Sequence, residues 1–461
     1  MSSHKSISEL VCSKTEPSTH LNVNLEKESA VKVYRKRYWI LFLFSSLSLL
    51  CGMLFPQYVS NANVNMCYYN ISMNMLNWTA YMLMVVYVVF VFPVSYLMNY
   101  IGLRWTIIAV SVTNTIACAL QFTGLKPDGF SFILLSTAFT SASNILVLAV
   151  PPFLAATWFP SNELSRACSA GVFGNQLGIA LGYLFSPLMV SNDCEDKPLI
   201  ENGKFKVATI LTILNLIWLM LVLFTFQNAP KSPPTQTQIK KEPSESHTKS
   251  VITMFKNLNF VLLFIMYGLT VGTYFAITTI LNNLILRYFP HREVEIGWMG
   301  TLFIISGLVG SMIAGTILDY THRFKETTLG ICIASMLTFI LFCTLLVIKS
   351  LWVTFLTIGI FGFFLTSFLP VGLEYGIELT FPEPEIISAS LLNASSNLFG
   401  LILTEIASRL LDAWGQRSSN IAIAVFLFMS SLITIFISSE YKRNKRPIKD
   451  SLKHEQEKTY H

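Results

Sequence analysis

Side chains able to move a proton or hold a charge are sparse in the apolar stretches of this chain. Glu374 and Glu378 stand four residues apart and so share one face of a helix. Two roles are open for them: a gate with Arg166 or Arg323, or a helix end capped in water. Glu405 and Arg409 have the same spacing, which suits an ion pair along one helix. None of the seven His falls inside an apolar stretch; His291 and His322 lie in connections and the rest in the linker and tails. The eight Cys include no CxxC spacing. No nucleophile–base pair or metal-ligand set emerges, so no enzyme activity, catalytic residue, metal or cofactor is expected. The apolar stretches do hold amides (Asn175, Gln176, Asn393, Asn397), Ser396 and the aromatic residues Tyr81, Tyr87 and Tyr274. Amide oxygens and ring faces can hold an organic cation that has no proton to donate. The competing role is hydrogen bonding between helices, at about 1–2 kcal/mol or less, and Asn393 is read that way. Gly307, Gly310 and Gly315 are read as sites of close helix approach.

The elements that must position these residues follow from hydropathy. The chain has 461 residues, 53% hydrophobic and 13% charged, a composition suited to a surface that faces lipid. Apolar runs near the ~20 residues needed to span a bilayer begin near Tyr38, Leu76, Leu103, Phe130, Ala167, Val207, Phe260, Ile296, Thr327, Leu351, Ile386 and Ile421. They are numbered spans 1 to 12. Lys32, Arg35, Lys36 and Arg37 precede span 1. Lys231, Lys240, Lys241, Lys249 and Lys256 follow span 6, and Lys442, Arg443, Lys445 and Arg446 follow span 12. An even number of spans puts these clusters on one side, expected to be cytosolic with both termini. The connection between spans 1 and 2 has no Lys or Arg and carries two sequons, at Asn70 and Asn77, with Asn70 the better placed acceptor. Cys67 and Cys194 fall on that same outer side, and two readings stay open: a disulfide or two free thiols. The expected organisation is a disordered cytosolic tail (1–37), a six-helix half (38–227), a disordered cytosolic linker rich in Pro, Ser, Thr and Lys (228–256), a second six-helix half (257–439) and a cytosolic tail (440–461).

The two halves repeat. Displaced by about 220 residues, Trp158–Gly178 lies on Thr380–Gly400 without a gap. Phe159 then matches Phe381, Pro160 matches Pro382, Glu163 matches Glu385, Ala167 matches Ala389, Asn175 matches Asn397 and Gly178 matches Gly400. A second pair, SYLMNYIGLR from Ser95 and GTILDYTHRF from Gly315, fits nearly the same displacement. It resembles the major facilitator signature of Gly, three residues, Asp, then basic residues. The second copy has Gly315, Asp319, Arg323 and Lys325; the first has Ser95 and Asn99 in the Gly and Asp places and keeps Gly102 and Arg104. That resemblance implies a cytosolic latch in which a carboxylate at a helix end meets a facing helix start and nearby Arg. The fold class expected is therefore all-α, a major facilitator bundle of twelve helices in two pseudo-symmetric halves of six. In such a bundle the substrate sits between the halves near midplane and transport proceeds by alternating access.

The stretch GVFGNQLGIALGYLFSPLMV (Gly171–Val190) is similar to the feline leukaemia virus subgroup C receptor family of solute carriers. So are YRKRYW followed by LFSSLSL, FKNLNFVLLFIMYGL, FKETTL and GLEYGIELTFPEPE with LLNASSNLFG. The resemblance covers most of residues 34–440 outside the linker. It implies facilitated movement of choline and ethanolamine, with haem export as a further assignment, through a pocket of aromatic and amide side chains. Residue by residue it points to Gln176 on span 5 and Met84 on span 2. Asn397 on span 11 stands in place of a glutamine, and Phe55 at the end of span 1 in place of a tryptophan. The span 7 pair Tyr274–Phe275 is reversed, so Phe275 takes the tyrosine position. With no carboxylate or His at midplane depth, a monomeric uniporter is favoured over a proton symporter. The expected partners are a small organic cation and the lipid bilayer, with no nucleic acid; the expected location is the plasma membrane. Two alternatives remain: an exporter of haem or another organic solute, and a transport-inactive receptor.

Overall fold

A chain this apolar has to satisfy its backbone polar groups internally, and a helix does so within one segment. The computed structural model describes residues 34–160, 163–230, 247–381 and 383–438, and every regular element among them is helical. Span 1 is Lys36–Leu54, span 2 Met73–Val91, span 3 Tyr100–Thr123, span 4 Phe130–Trp158, span 5 Leu164–Met189 and span 6 Lys197–Thr225. The second half has Leu258–Leu286, Glu293–Thr321, Phe324–Leu345, Leu351–Thr380, Glu385–Ala413 and Gln416–Phe436 as spans 7 to 12. Eleven of the twelve are long and apolar enough to cross a membrane. Span 5, of 26 residues, is the exception, diluted by glycines, serines and the Asn175–Gln176 pair. Span 6 begins ten residues before its apolar run at Val207, because Asp196 caps a polar first stretch by accepting from the Leu199 N–H at 3.1 Å.

Three features differ from the sequence expectation or lie beyond it. The linker expected at 228–256 is not wholly irregular: His247–Lys256 forms a helix. It buries Met254 and Ser250 and leaves Ile252 and Phe255 exposed. Its apolar residues follow a helical period and dock on the second half, which overrides the polar composition around them. The segments 231–246, 1–33 and 439–461 lie outside the described residues, as does what was expected of the tails. A short helix, Ala62–Tyr69, fills the connection between spans 1 and 2. It carries Cys67, which forms a disulfide with Cys194 beyond span 5. Lys204 of span 6 pins the same helix: its Nζ donates to Asn65 Oδ1 at 2.7 Å and stands 4.4 and 3.9 Å from the Tyr68 and Tyr69 rings. Burial first, and Glu201 second, push the Tyr68 phenol up to about 12.

Packing within each half rests on glycine. Gly171, Gly174, Gly178 and Gly182 recur along one face of span 5, and all four meet span 1 or the residues just after it. A Cβ on Gly174 or Gly178 would drive into the Ser45 or Leu49 carbonyl. Asn175 and Ser48 stitch the contact with hydrogen bonds to the Ser48 and Gly171 carbonyls, both at 3.3 Å. The second half repeats this between spans 7 and 11, where a Cβ on Gly272 would lie 2.8 Å from the Gly400 nitrogen. Gly178 and Gly400, which coincide in the repeat, both stand at a close helix contact: a Cβ on Gly178 would strike the Leu49 backbone, and one on Gly400 the Phe275 side chain. Large side chains then fill the rest: Phe44, Leu47, Ile107, Val150 and Trp158 in the first half, and Phe303, Phe339, Phe342 and Phe361 in the second.

Gly178→Val is expected to separate spans 1 and 5 and lower the melting temperature of the purified protein by about 5 °C or more. Gly315→Ala meets no atom within 4 Å and is the matched control that leaves melting unchanged.

Candidate functional site

Three of the six residues expected at the site, Phe55, Met84 and Phe275, are linked by packing, and Gln176 and Asn397 each lie one turn from a residue of that group. Phe55 follows the last residue of span 1 and is buried with Val59, Ala80 and Leu83; Phe275 of span 7 and Ile179 of span 5 pack against the same group. Gly400 brings in the others, since a Cβ there would lie 3.1 Å from Phe275 Cδ2 and 3.5 Å from Met84 Sδ. Gln176 is one turn before Ile179 on span 5, and Asn397 one turn before Gly400 on span 11. Asn397 is buried, and its Nδ2 donates along its own helix to the Asn393 carbonyl at 2.8 Å. Gln176 is half-buried and its amide has no hydrogen-bond partner among the described residues. Its neighbour Asn175, by contrast, is committed to the span 1 contact.

Tyr274 is placed differently from the sequence expectation. It stacks on Phe303 of span 8 at 6.0 Å between centroids and belongs to a buried cluster that joins span 7 and span 8 side chains to Ala180 and Tyr183 of span 5. Its hydroxyl is fully buried and unpartnered, so it does not reach the space shared by Phe55 and Phe275. Successive residues on a helix point about 100° apart, and the ring of Phe275, not that of Tyr274, is the one turned to the site.

The gating residues separate too. Arg104, expected in a latch, is tied inside the first half: its Nη2 donates to the Leu223 carbonyl at 3.2 Å, and its backbone N–H to Asn228 Oδ1 at 3.2 Å. That is a cation at the end of span 6, where free carbonyls attract it. The turn before it needs Gly102, whose φ of 79° and ψ of 169° lie in a region open only to glycine. Arg323 is exposed just before span 9. The side chains of Asn99 and Asp319 lie outside the described residues, so the latch geometry is not described. Glu378 is buried and Glu374 exposed, one turn apart near the end of span 10. The ion pair that ties down the turn between spans 4 and 5 was missed: Arg37 Nη2 meets both Glu163 oxygens at 2.9 and 3.0 Å. Its guanidinium also lies 4.7 and 5.4 Å from the rings of Tyr38 and Phe159. The available signal was the repeat, which aligned Glu163 with Glu385 and Phe159 with Phe381 without assigning them a role.

Several hydrogen bonds between the halves gather toward the disulfide end. Asn77 Nδ2 donates to Ser408 Oγ and Tyr81 OH to Glu405 Oε2, both at 2.8 Å. Glu405 in turn binds Arg409 at 2.5 Å, the pairing read from their spacing. Thr301 Oγ1 donates to the Ala180 carbonyl at 2.8 Å, Asn282 Nδ2 to the Ser60 carbonyl at 2.7 Å, and Tyr183 OH to the Thr278 carbonyl. The molecule is therefore closed at the disulfide end. Asn77, read as a glycan acceptor, is 1% exposed and has no room for a sugar, whereas Asn70 is exposed at the end of the loop helix.

This geometry agrees with what the chain is similar to. The Major Facilitator Superfamily matches residues 38–345 and 263–458. The choline/ethanolamine transporter flvcr2a of Danio rerio is 36% identical over 428 residues, covering 92% of this chain and 91% of the relative. The choline/ethanolamine transporter FLVCR2 of Homo sapiens is 35% identical, covering 94% and 84%, and FLVCR1 of Felis catus 33%, covering 89% and 74%. Among solved structures, an inward-facing bacterial homologue of the human lysosomal transporter Spinster matches with a TM-score of 0.66 at 13% identity, over 88% of this chain and 98% of the other. The E. coli fucose:proton symporter FucP matches at 0.60 and 13%, over 88% and 100%. These structures share the fold. Sequence identity over nearly the full length of the transporters goes further: the chain is a multi-pass membrane transporter, not an enzyme, and belongs to the feline leukaemia virus subgroup C receptor family of the Major Facilitator Superfamily.

Proposed function

We propose that this chain is a uniporter of choline and ethanolamine, working as a single polypeptide by alternating access between its two halves. The carrying observation is the unpartnered amide of Gln176 beside the Phe55–Phe275 cluster. Two ring faces and an amide oxygen meet the needs of an ammonium that donates few or no hydrogen bonds. The described carboxylates lie toward the ends of the spans: Glu293 and Glu405 at the disulfide end, Glu374 and Glu378 at the other. A carrier without a midplane carboxylate has no group there to take a coupled proton, so the substrate's own gradient drives it. The relatives named choline/ethanolamine transporters support the same substrate class. Phe in place of the family's Trp leaves a weaker cation–π face, which favours a lower affinity for choline.

The disulfide end is read as extracellular and the linker end as cytosolic, in a plasma-membrane protein with a glycan at Asn70. The positive clusters flanking spans 1, 6 and 12 support this orientation.

Purified protein in liposomes is expected to take up labelled choline saturably and to keep doing so when an uncoupler collapses the pH gradient; uptake that stops with the gradient overturns the uniport reading. Gln176→Ala is expected to lower uptake about tenfold, the value of one hydrogen bond that the Gln176 oxygen would accept from the substrate hydroxyl. Tyr274→Phe removes a buried hydroxyl with no partner and is expected to leave uptake unchanged and melting equal or higher. A fall in uptake on that change would put the tyrosine back in the site. Asn70→Gln is expected to abolish the glycan shift on a gel, and Asn77→Gln to leave it in place.

A further inference from the structure

One contact at the disulfide end differs in kind from the rest of the closed seam. Glu293, the first residue of span 8, is 2% exposed. Its two oxygens each accept from an amide of the other half: Oε1 from Asn63 Nδ2 and Oε2 from Asn192 Nδ2, both at 2.7 Å. The short distances are those of charge-assisted bonds. Asn63 belongs to the loop helix Ala62–Tyr69, and Asn192 to the connection after span 5. Cys67 and Cys194 join those two segments covalently, four residues beyond Asn63 and two beyond Asn192. A cleft of about 790 Å³ opens beside the contact, lined by Asn63, Asn192, Glu293, Arg287 and Asp412.

A carboxylate at a helix start is favourable on its own account, since it meets the positive end of the helix dipole. That role needs neither asparagine. The two amides have a cost that a helix-start role would not explain: each must turn its nitrogen to the carboxylate, and each is left with a fully buried Oδ1 that has no partner. Such acceptors are unfavourable when buried and are relieved when water reaches them. The contact is thus strong while made and favoured to hydrate once broken, the behaviour needed in a part that opens and closes.

We propose that Glu293 is the latch of the gate at the disulfide end, and that the Cys67–Cys194 bond makes its two amide partners a single moving part. In the closed state Glu293 holds the lid formed by the loop helix and the connection after span 5. When the halves rock apart at this end the lid leaves as one body, and both amide oxygens and the carboxylate enter water together. Span 8 then carries a free negative charge at the mouth of the path, where it attracts a cationic substrate. The proposal rests on the alternating-access reading above and is independent of which cation is carried.

The test needs no substrate. Thr301, 4% exposed in the seam, is changed to Cys in the full chain, and its labelling by a maleimide is timed in the purified protein against the chain without that change. Labelling is expected to be slow in the Thr301→Cys background. It should quicken about tenfold or more when Glu293→Ala, or Asn63→Ala with Asn192→Ala, is added, the effect of losing charge-assisted hydrogen bonds. Cys67→Ser with Cys194→Ser is expected to quicken it as well, by less. Glu293→Gln keeps one acceptor oxygen and should fall between, which keeps the test open if the alanine variant fails to fold. Unchanged labelling in Glu293→Ala and in the double asparagine variant would reduce Glu293 to a helix-start charge. Quickening in Glu293→Ala alone would overturn the role of the asparagines, and unchanged labelling without the disulfide would overturn the single moving part. Choline uptake by the unaltered chain, run in parallel, tests the substrate separately.

Discussion

Backbone-to-backbone contact between spans 1 and 5, and between spans 7 and 11, is the constraint on which the rest of this molecule depends. In lipid there is no hydrophobic force between helices, and close packing has to supply the attraction. Glycines at three- and four-residue intervals on span 5 allow that packing. They also locate the site. Gln176 lies between Gly174 and Gly178, Asn397 one turn before Gly400, and Phe275 one turn after Gly272. Each side chain is thus carried by a helix that close packing against its neighbour holds in place. Side chains from opposite halves thus pack together without a flexible loop between them.

The site's charge balance follows from what the bundle leaves out. A carboxylate at midplane would bind an ammonium strongly, but it would have to be desolvated at high cost and would invite proton coupling. On the reading proposed here, ring quadrupoles and an amide oxygen would give a weaker hold, released when the halves part. The described ionisable groups lie toward the ends of the spans. Arg37 and Glu163 tie down the turn between spans 4 and 5, and Glu405 and Arg409 brace the seam at the disulfide end. Glu293 is the one buried carboxylate of that seam, and it is satisfied entirely by amides.

Much of this was legible beforehand, for identifiable reasons. Spanning helices announce themselves because lipid admits few alternatives, and the starts of spans 1, 4, 10 and 11 fell within two residues of the apolar runs. Span 6 began earlier because its first turns are polar and project beyond those runs. The linker helix escaped notice because its composition resembles the disordered stretch before it. Phe55, Met84, Gln176, Phe275 and Asn397 were legible as candidates only through a family resemblance that named their positions. Adjacent residues in a helix face different neighbours, so the reversed Tyr274–Phe275 pair does not by itself say which ring packs beside Phe55. Asn77 kept a glycosylation motif whose asparagine is consumed by an interhelical hydrogen bond.

By itself the sequence determined the twelve-helix class, the two repeating halves, the side on which positive charge gathers and the absence of an obvious reactive centre. All of these are written in composition and period, which act locally along the chain. The tertiary structure alone decided which of two open readings applied to Cys67 and Cys194, and which face of span 7 meets the site. It also decided that Glu293 bridges the halves through Asn63 and Asn192. Those contacts join residues 101 to 230 positions apart, and no local pattern encodes a pairing that arises only when the spans have packed.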